Sequence, residues 1–193
     1  MNNALNRIIM IGGSAGSLPI FMRIVQEMPI NSTCAMVLVI HRLKNVQSSM
    51  VELLSVLNQK VQLKEPDDKE PIYPGVVYLA PQNYHLLIDP EIRFSLDYSE
   101  PVNYSRPSID LSFESAASVF GKNCMGILLS GANQDGAIGL NKIYQNGGVG
   151  IVQDPTASDY STMPNSALAI NPLLHSLLPD QLIHFLQTVL NNK

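Results

Sequence analysis

The sequence predicts an α/β fold: a doubly wound, mostly parallel sheet with helices on both faces and an antiparallel hairpin at one edge. Three observations carry this reading. Ile8 to Ile11, Cys34 to Ile40 and Met125 to Leu129 are short, uniformly apolar runs, as expected of strands buried on both faces. The first two are each followed by apolar residues at helical spacing, so strand and helix alternate. The chain of 193 residues is 46% hydrophobic and shows no repeat, low-complexity tract or linker, which predicts a single domain over residues 1–193.

The elements follow in order. After Ile8 to Ile11 comes the small-residue loop Gly12 to Ser17, then Leu18, Phe21, Ile24, Val25 and Met28 on one helical face. Pro19 suits a first helical turn and Pro29 stops the helix. The run Cys34 to Ile40 ends in His41, and Met50, Leu53, Leu54 and Leu57 mark a second amphipathic helix. The middle is broken by Pro81, Asn83 and Asp89-Pro90 into short strands at 75–79, 86–88 and 93–96, the source of the edge hairpin. Ser108 reads as the N-cap of a helix through Ile109, Phe113, Ala116, Ala117 and Phe120, with Asp110 favourable to its dipole. Beyond Met125 to Leu129 and the loop Ser130 to Gly136 come a helix, a strand at Val149 to Val152, a loop rich in Pro, Ser and Thr, and a last helix through Leu182, Phe185, Leu186 and Val189.

Composition excludes several classes. The 12 basic and 16 acidic residues give a net charge of −4, so there is no basic footprint for nucleic acid. Charged residues make up 15%, below the roughly 25% of ordinary soluble domains, which fits a large buried sheet or a surface covered by a partner. Two cysteines build no disulfide framework and suit a reducing compartment. No apolar run approaches the ~18 residues of a membrane span, and Ile8 to Ile11 is too short for a signal peptide. A cytoplasmic protein without membrane insertion is expected.

In an open α/β sheet, ligands bind beyond the carboxyl ends of the strands. Three such ends deliver Ser14, His41 and Asp135. A serine hydroxyl becomes a nucleophile when a base takes its proton, and that base needs a carboxylate to hold its tautomer. Gly12-Gly13-Ser14-Ala15-Gly16 also matches the G-x-S-x-G nucleophile elbow. The order Ser14, His41, Asp135, with one strand before the serine, is not that of an α/β-hydrolase. A dinucleotide site is disfavoured, because the loop lacks G-x-G-x-x-G spacing and the second strand ends in a histidine rather than an acid.

The ordered set Ile11-Gly12-Gly13-Ser14-Ala15-Gly16, Val39-Ile40-His41, Tyr78-Leu79-Ala80-Pro81, Arg106-Pro107-Ser108-Ile109-Asp110, Leu129-Ser130-Gly131, Gln134-Asp135-Gly136-Ala137, Gly147-Gly148, Gln153-Asp154 and Met163-Pro164 resembles the catalytic domain of the CheB-type protein-glutamate methylesterases of bacterial chemotaxis. The resemblance covers nearly the whole chain. It implies a Ser-His-Asp triad that hydrolyses glutamate methyl esters on chemoreceptor helices to methanol, with some members also deamidating glutamine. Carried over by position, Ser14 is the nucleophile, His41 the general base and acid, and Asp135 the orienting carboxylate; no metal or organic cofactor is implied. The chain departs from the family pattern at Ala15 (threonine), Ser17 (glycine), Ala132 (methionine) and Asn133 (glycine), close to where an oxyanion forms. Losing one oxyanion donor costs about 2.7–4 kcal/mol. Six residues precede the first strand, so no N-terminal receiver domain is expected; control would then fall to a separate response-regulator or kinase protein, or be absent, unless the chain was cut from a longer one. The altered loops leave two alternatives: a receptor-interaction module without turnover, or an esterase for another acyl substrate.

Other residues have plainer expectations. His85 fixes a turn, and His175 and His184 lie near the C-terminal helix in surface or core roles. Asp110 and Asp154 are the competing carboxylates. Arg106 either meets an acidic receptor helix or makes a surface salt bridge. Cys34, Cys124 and the methionines Met10, Met28, Met36 and Met50 belong to the core.

Overall fold

The structure, a computed structural model, describes residues 5–29, 33–42 and 48–191; the extreme ends of the expected 1–193 domain lie outside these. Strand β1 (Arg7–Gly13) is central. It pairs in parallel with β2 (Cys34–Ile40) on one side and with β7 (Cys124–Leu128) on the other. Outward from β2 lie β4 (Val76–Leu79) and β3 (Gln62–Lys64); outward from β7 lie β8 (Val149–Gln153) and β9 (His175–Leu177). All six pairings in this seven-stranded sheet are parallel. The strand order reverses beside β1, the place where such sheets open a crevice at their carboxyl edge.

Alternation along the strands divides the core into two layers. Ile9 and Ile11 of β1 join Met36, Leu38 and Ile40 of β2 under α1 (Leu18–Glu27), α2 (Met50–Leu57) and α6 (Pro179–Asn191). Ile8 and Met10 join Val37 and Val39 on the other face, under α3 (Ile109–Phe120), α4 (Ala137–Gln145) and α5 (Thr162–Ile170). Every residue of β2 is buried, which explains its unbroken apolar run. Cys34 and Cys124 open β2 and β7 within this core, and burial pushes the Cys124 thiol up to about 12.

The antiparallel pair β5 (His85–Ile88) and β6 (Phe94–Asp97) is present, but as a separate two-stranded sheet rather than as an edge of the main one. Its apolar side, Leu86, Ile88 and Phe94, belongs to the α3 layer, where Phe94 meets Tyr78 at 4.6 Å between ring centroids. Side chains of α3 complete its backbone hydrogen bonding: Ser112 Oγ donates to Leu86 O at 2.7 Å, and Ile88 N donates to Ser115 Oγ at 3.1 Å. A helix thus covers a strand edge that the sheet leaves open.

The segment read as a loop rich in Pro, Ser and Thr contains α5. Pro164 is its third residue, inside the first turn where no amide is needed, and only Met163, Pro164 and Ala167 are buried, too few for a visible stripe. Strands β3 and β9 have three residues each, below the length at which periodicity shows. His175 lies in β9, not beside the last helix alone, and both it and His184 of α6 are exposed. Among the described residues no helix is long and apolar enough to cross a membrane.

Candidate active site

The parallel register of β1 and β2 sets Gly13 opposite Ile40, so Ser14 and His41 leave the sheet side by side. His41 N donates to Gly13 O at 3.3 Å and extends the ladder one step. On the other flank Leu129 N donates to Gly12 O at 2.8 Å and Ser14 N to Ser130 O at 2.9 Å, which ties the serine loop to the loop after β7. The serine loop turns through Gly16, whose φ of +77° favours glycine; a Cβ there would stand 2.8 Å from Ser130 Oγ. Ser17 donates its hydroxyl to Ser14 O, and Ser130 Oγ to Ala15 O at 2.8 Å. Ser130 N in turn donates to Gln153 Oε1 at 2.9 Å, joining the end of β8 to the same cluster.

Asp135 is fully buried and accepts four hydrogen bonds. Ser108 Oγ (2.9 Å) and Asp110 N (3.1 Å) donate to Oδ1, while Ile109 N (2.7 Å) and His41 Nε2 (2.8 Å) donate to Oδ2. The carboxylate therefore sits on the amino end of α3, a favoured place for negative charge. Burial pushes its pKa up, but the His41 bond and the Ile109 and Asp110 amides outweigh this and hold it below the ordinary aspartate value. An ionised Asp135 only accepts, so the proton on His41 is at Nε2 and Nδ1 is the free base nitrogen. This reverses the ring orientation of the chymotrypsin-type triad, in which Nδ1 faces the acid.

Ser14 is half-buried beside this pair. Its hydroxyl makes no hydrogen bond among the described residues; Ser105 Oγ instead lies 3.4 Å from His41 Nδ1. The structure thus brings His41 and Asp135 into contact and sets Ser14 on the neighbouring strand end without a bond to His41. Ser105 has no sequence signal of its own, since only the returning chain puts it there. The amides of Ala15 and Gly16, and those of Ala132, Asn133 and Gln134, donate to nothing among the described residues. Asn133 Oδ1 accepts from Asp135 N at 3.2 Å, so Asn133 shapes the turn into Asp135.

The competing residues have other tasks. His85 is fully buried in β5, where its Nδ1 accepts from Ser108 N at 3.1 Å and its Nε2 donates to Glu100 O at 3.1 Å. It holds the cap of α3, two bonds away from Asp135. Asp110 Oδ1 accepts from Gly139 N at 2.8 Å, and Asn103 Nδ2 donates to Oδ2 at 3.2 Å. Burial pushes its carboxyl up to about 6, with the charge of Asp135 adding to the effect against the Gly139 bond. Asp154 binds Thr156 and Ser176 at a distant turn. Arg106 makes no salt bridge among the described residues: its Nη1 donates to Tyr98 O and Ser99 O, and the guanidinium stacks 4.0 Å from the Tyr98 ring centroid.

The family profile of the CheB methylesterase matches residues 9–186. The chain belongs to the CheB methylesterase family. A Leptospira interrogans protein, provisionally named protein-glutamate methylesterase/protein-glutamine glutaminase, is 42% identical over 160 residues, covering 83% of this chain and 82% of its own. A Methanospirillum hungatei protein-glutamate methylesterase/protein-glutamine glutaminase 2 is 34% identical over 184 residues, covering 95% of this chain but 52% of its own. The crystal structure of the Thermotoga maritima CheB methylesterase catalytic domain superposes with a TM-score of 0.89 at 26% identity, covering 96% of this chain and all of that one. The parallel sheet and its carboxyl-edge crevice are therefore the CheB catalytic fold.

Proposed function

We propose that this chain is a serine hydrolase that cleaves glutamate γ-methyl esters on chemoreceptor helices to glutamate and methanol. The observation that carries the reading is the hydrogen-bonded His41–Asp135 pair at the strand end adjoining Ser14, within a chain of the CheB methylesterase family. Ser14 Oγ attacks the ester carbonyl while His41 Nδ1, released from Ser105, accepts its proton. The charge forming on the carbonyl oxygen is met by unpaired loop amides, of which Ala15 and Gly16 follow the nucleophile directly. His41 then protonates the departing methoxide, and methanol leaves an acyl-enzyme on Ser14. Water attacks that ester as His41 again takes a proton, and glutamate is released. Asp135 stays ionised throughout and stabilises the imidazolium. A glutamine side chain passes through the same steps with ammonia as the leaving group.

The reading treats residues 1–193 as one catalytic domain working in the cytoplasm, with receptor helices as substrate and a separate response-regulator or kinase protein as a partner. Methanol release from a methylated receptor fragment, compared between wild type and Ser14→Ala, tests it. Release that vanishes in the variant supports the assignment. Release that persists overturns the role of Ser14. Binding of the fragment without release by wild type supports the non-catalytic docking module instead.

A further inference from the structure

The residue between Asn103 and Ser105 is held in a way the hydrolytic chemistry does not require. Val102 N donates to Ser105 O at 3.2 Å and Ser105 N to Val102 O at 2.9 Å, closing a two-residue turn. Both residues inside it are left-handed, Asn103 at φ 49° and Tyr104 at φ 62°. That turn type strongly prefers glycine and asparagine, and tyrosine in its second place is strained. Both flanks of the tyrosine are fastened to the site: Asn103 Nδ2 donates to Asp110 Oδ2 at 3.2 Å, and Ser105 Oγ faces His41 Nδ1 at 3.4 Å. Tyr104 itself is 98% exposed. The turn fixes Asn103 and Ser105 within the chain, while the ring between them faces outward.

The ring borders a cleft of about 300 Å³ lined by Asn103, Tyr104, Asn133, Gln134, Thr162 and Ser166. Asn133 and Gln134 lead directly into Asp135, so the cleft adjoins the candidate site along one wall. Its lining offers amides, hydroxyls and one aromatic face, with no charged side chain. Such a surface takes an uncharged polar segment; an acidic one finds no cation there, and Asp110 lies in the adjoining cavity. A receptor helix whose glutamates are esterified or amidated has that neutral character, whereas the demethylated product does not.

We infer that Tyr104 is a substrate-binding residue: its turn presents the ring to the receptor helix at the mouth of the cleft lined by Asn133 and Gln134. This rests on the methylesterase reading proposed above. Aromatic residues at interface centres carry a large share of binding energy because they bury much area at little entropic cost.

The test compares wild type, Tyr104→Ala and Tyr104→Phe on two substrates, a methylated helical receptor fragment and 4-nitrophenyl acetate. Full exposure of the side chain makes the alanine variant safe for folding. In Tyr104→Ala the KM for the fragment is expected to rise about tenfold with kcat within about twofold, and hydrolysis of the small ester to stay at the wild-type rate. Tyr104→Phe, which keeps the ring, is expected to match wild type. An unchanged KM in Tyr104→Ala overturns the inference, and so does an equal loss on both substrates, which would place the residue behind His41 rather than against substrate. Direct binding of the fluorescein-labelled fragment separates the two proposals. If wild type binds without releasing methanol, the esterase reading fails, yet weaker binding by Tyr104→Ala still upholds the contact and equal binding overturns it. A wild type that neither binds nor cleaves the fragment overturns both.

Discussion

Asp110 and Asp135 cap one another's helices. Asp135, just ahead of α4, accepts the Ile109 and Asp110 amides at the start of α3, and Asp110 in the first turn of α3 accepts the Gly139 amide in the first turn of α4. Each carboxylate thus fixes the helix that carries, or directly follows, the other. The exchange sets two negative groups in one buried region, and they titrate in opposite directions: Asp135 is lowered, Asp110 raised to about 6.

A carboxyl whose folded pKa is raised binds its proton more tightly in the native state. Its contribution to stability is complete below the unfolded value near 3.8 and declines until the pH passes about 6. The decline amounts to at most about 3 kcal/mol. Asp110→Asn keeps an oxygen for the Gly139 amide and removes the charge. It is expected to gain stability over wild type at pH 7.5 and to lose that advantage at pH 4, as read by urea unfolding. A variant that is less stable at pH 7.5 than at pH 4, relative to wild type, would show that the ionised Asp110 is favourable.

Asp135→Asn has the opposite signature. The depressed pKa of Asp135 means that its stabilising contribution is present above the unfolded value and is lost as the pH falls through the lower folded one. Asparagine retains one oxygen for four donors and turns an NH2 group toward the others. The expected cost is about 2–4 kcal/mol at pH 7, shrinking toward pH 3. Methanol release is expected to fall about 10⁴-fold, because the His41 tautomer is no longer held. Wild-type turnover in this variant would remove Asp135 from the chemistry.

The two central histidines should separate cleanly. His41 is 12% exposed and packs at the rim, whereas His85 is fully buried between the Ser108 amide and the Glu100 carbonyl. His85→Ala leaves both groups unpaired and is expected to cost about 2–4 kcal/mol in thermal or urea unfolding. His41→Ala removes one of the four donors to buried Asp135, so it is expected to cost about 1–3 kcal/mol and to abolish methanol release, whereas His85→Ala should retain release at temperatures where it is folded. Reversal of that pattern would exchange their assignments.

How much of this was legible beforehand follows from the range of the interactions. Strand ends could be read because Ile8 to Ile11, Cys34 to Ile40 and Met125 to Leu129 are buried on both faces, and the parallel order then sets Ser14 beside His41. Ser108 reads as a cap from its position alone, and it does accept from Leu111 N. What escaped depends on distant returns of the chain. The hairpin detaches from the sheet because α3 serines complete its backbone, and α5 hides behind Pro164 and three buried residues. Nη1 of Arg106 donates to the Tyr98 and Ser99 carbonyls, a pairing that no spacing rule announces.

Gly139 tests whether the reciprocal capping matters to the chemistry. A Cβ there would stand 2.7 Å from Asp110 O and 2.9 Å from Asp110 Cα, so the obstruction is backbone and cannot rotate away. Gly139→Ala must therefore push the first turns of α3 and α4 apart, at an expected cost of about 1–3 kcal/mol. The same displacement stretches the Ile109 and Asp110 amides away from Asp135, since these lie on the turn being moved. Turnover is expected to fall about tenfold or more even at temperatures where the variant is fully folded, because misplacing a reacting group by an ångström costs about 10²-fold. Gly147→Ala is the control: its left-handed backbone is strained by alanine, but its Cβ meets nothing closer than 3.6 Å and lies at the far end of α4. It should lose stability without losing turnover. Equal turnover in the two variants would mean that the helices position Asp135 independently of their mutual contact.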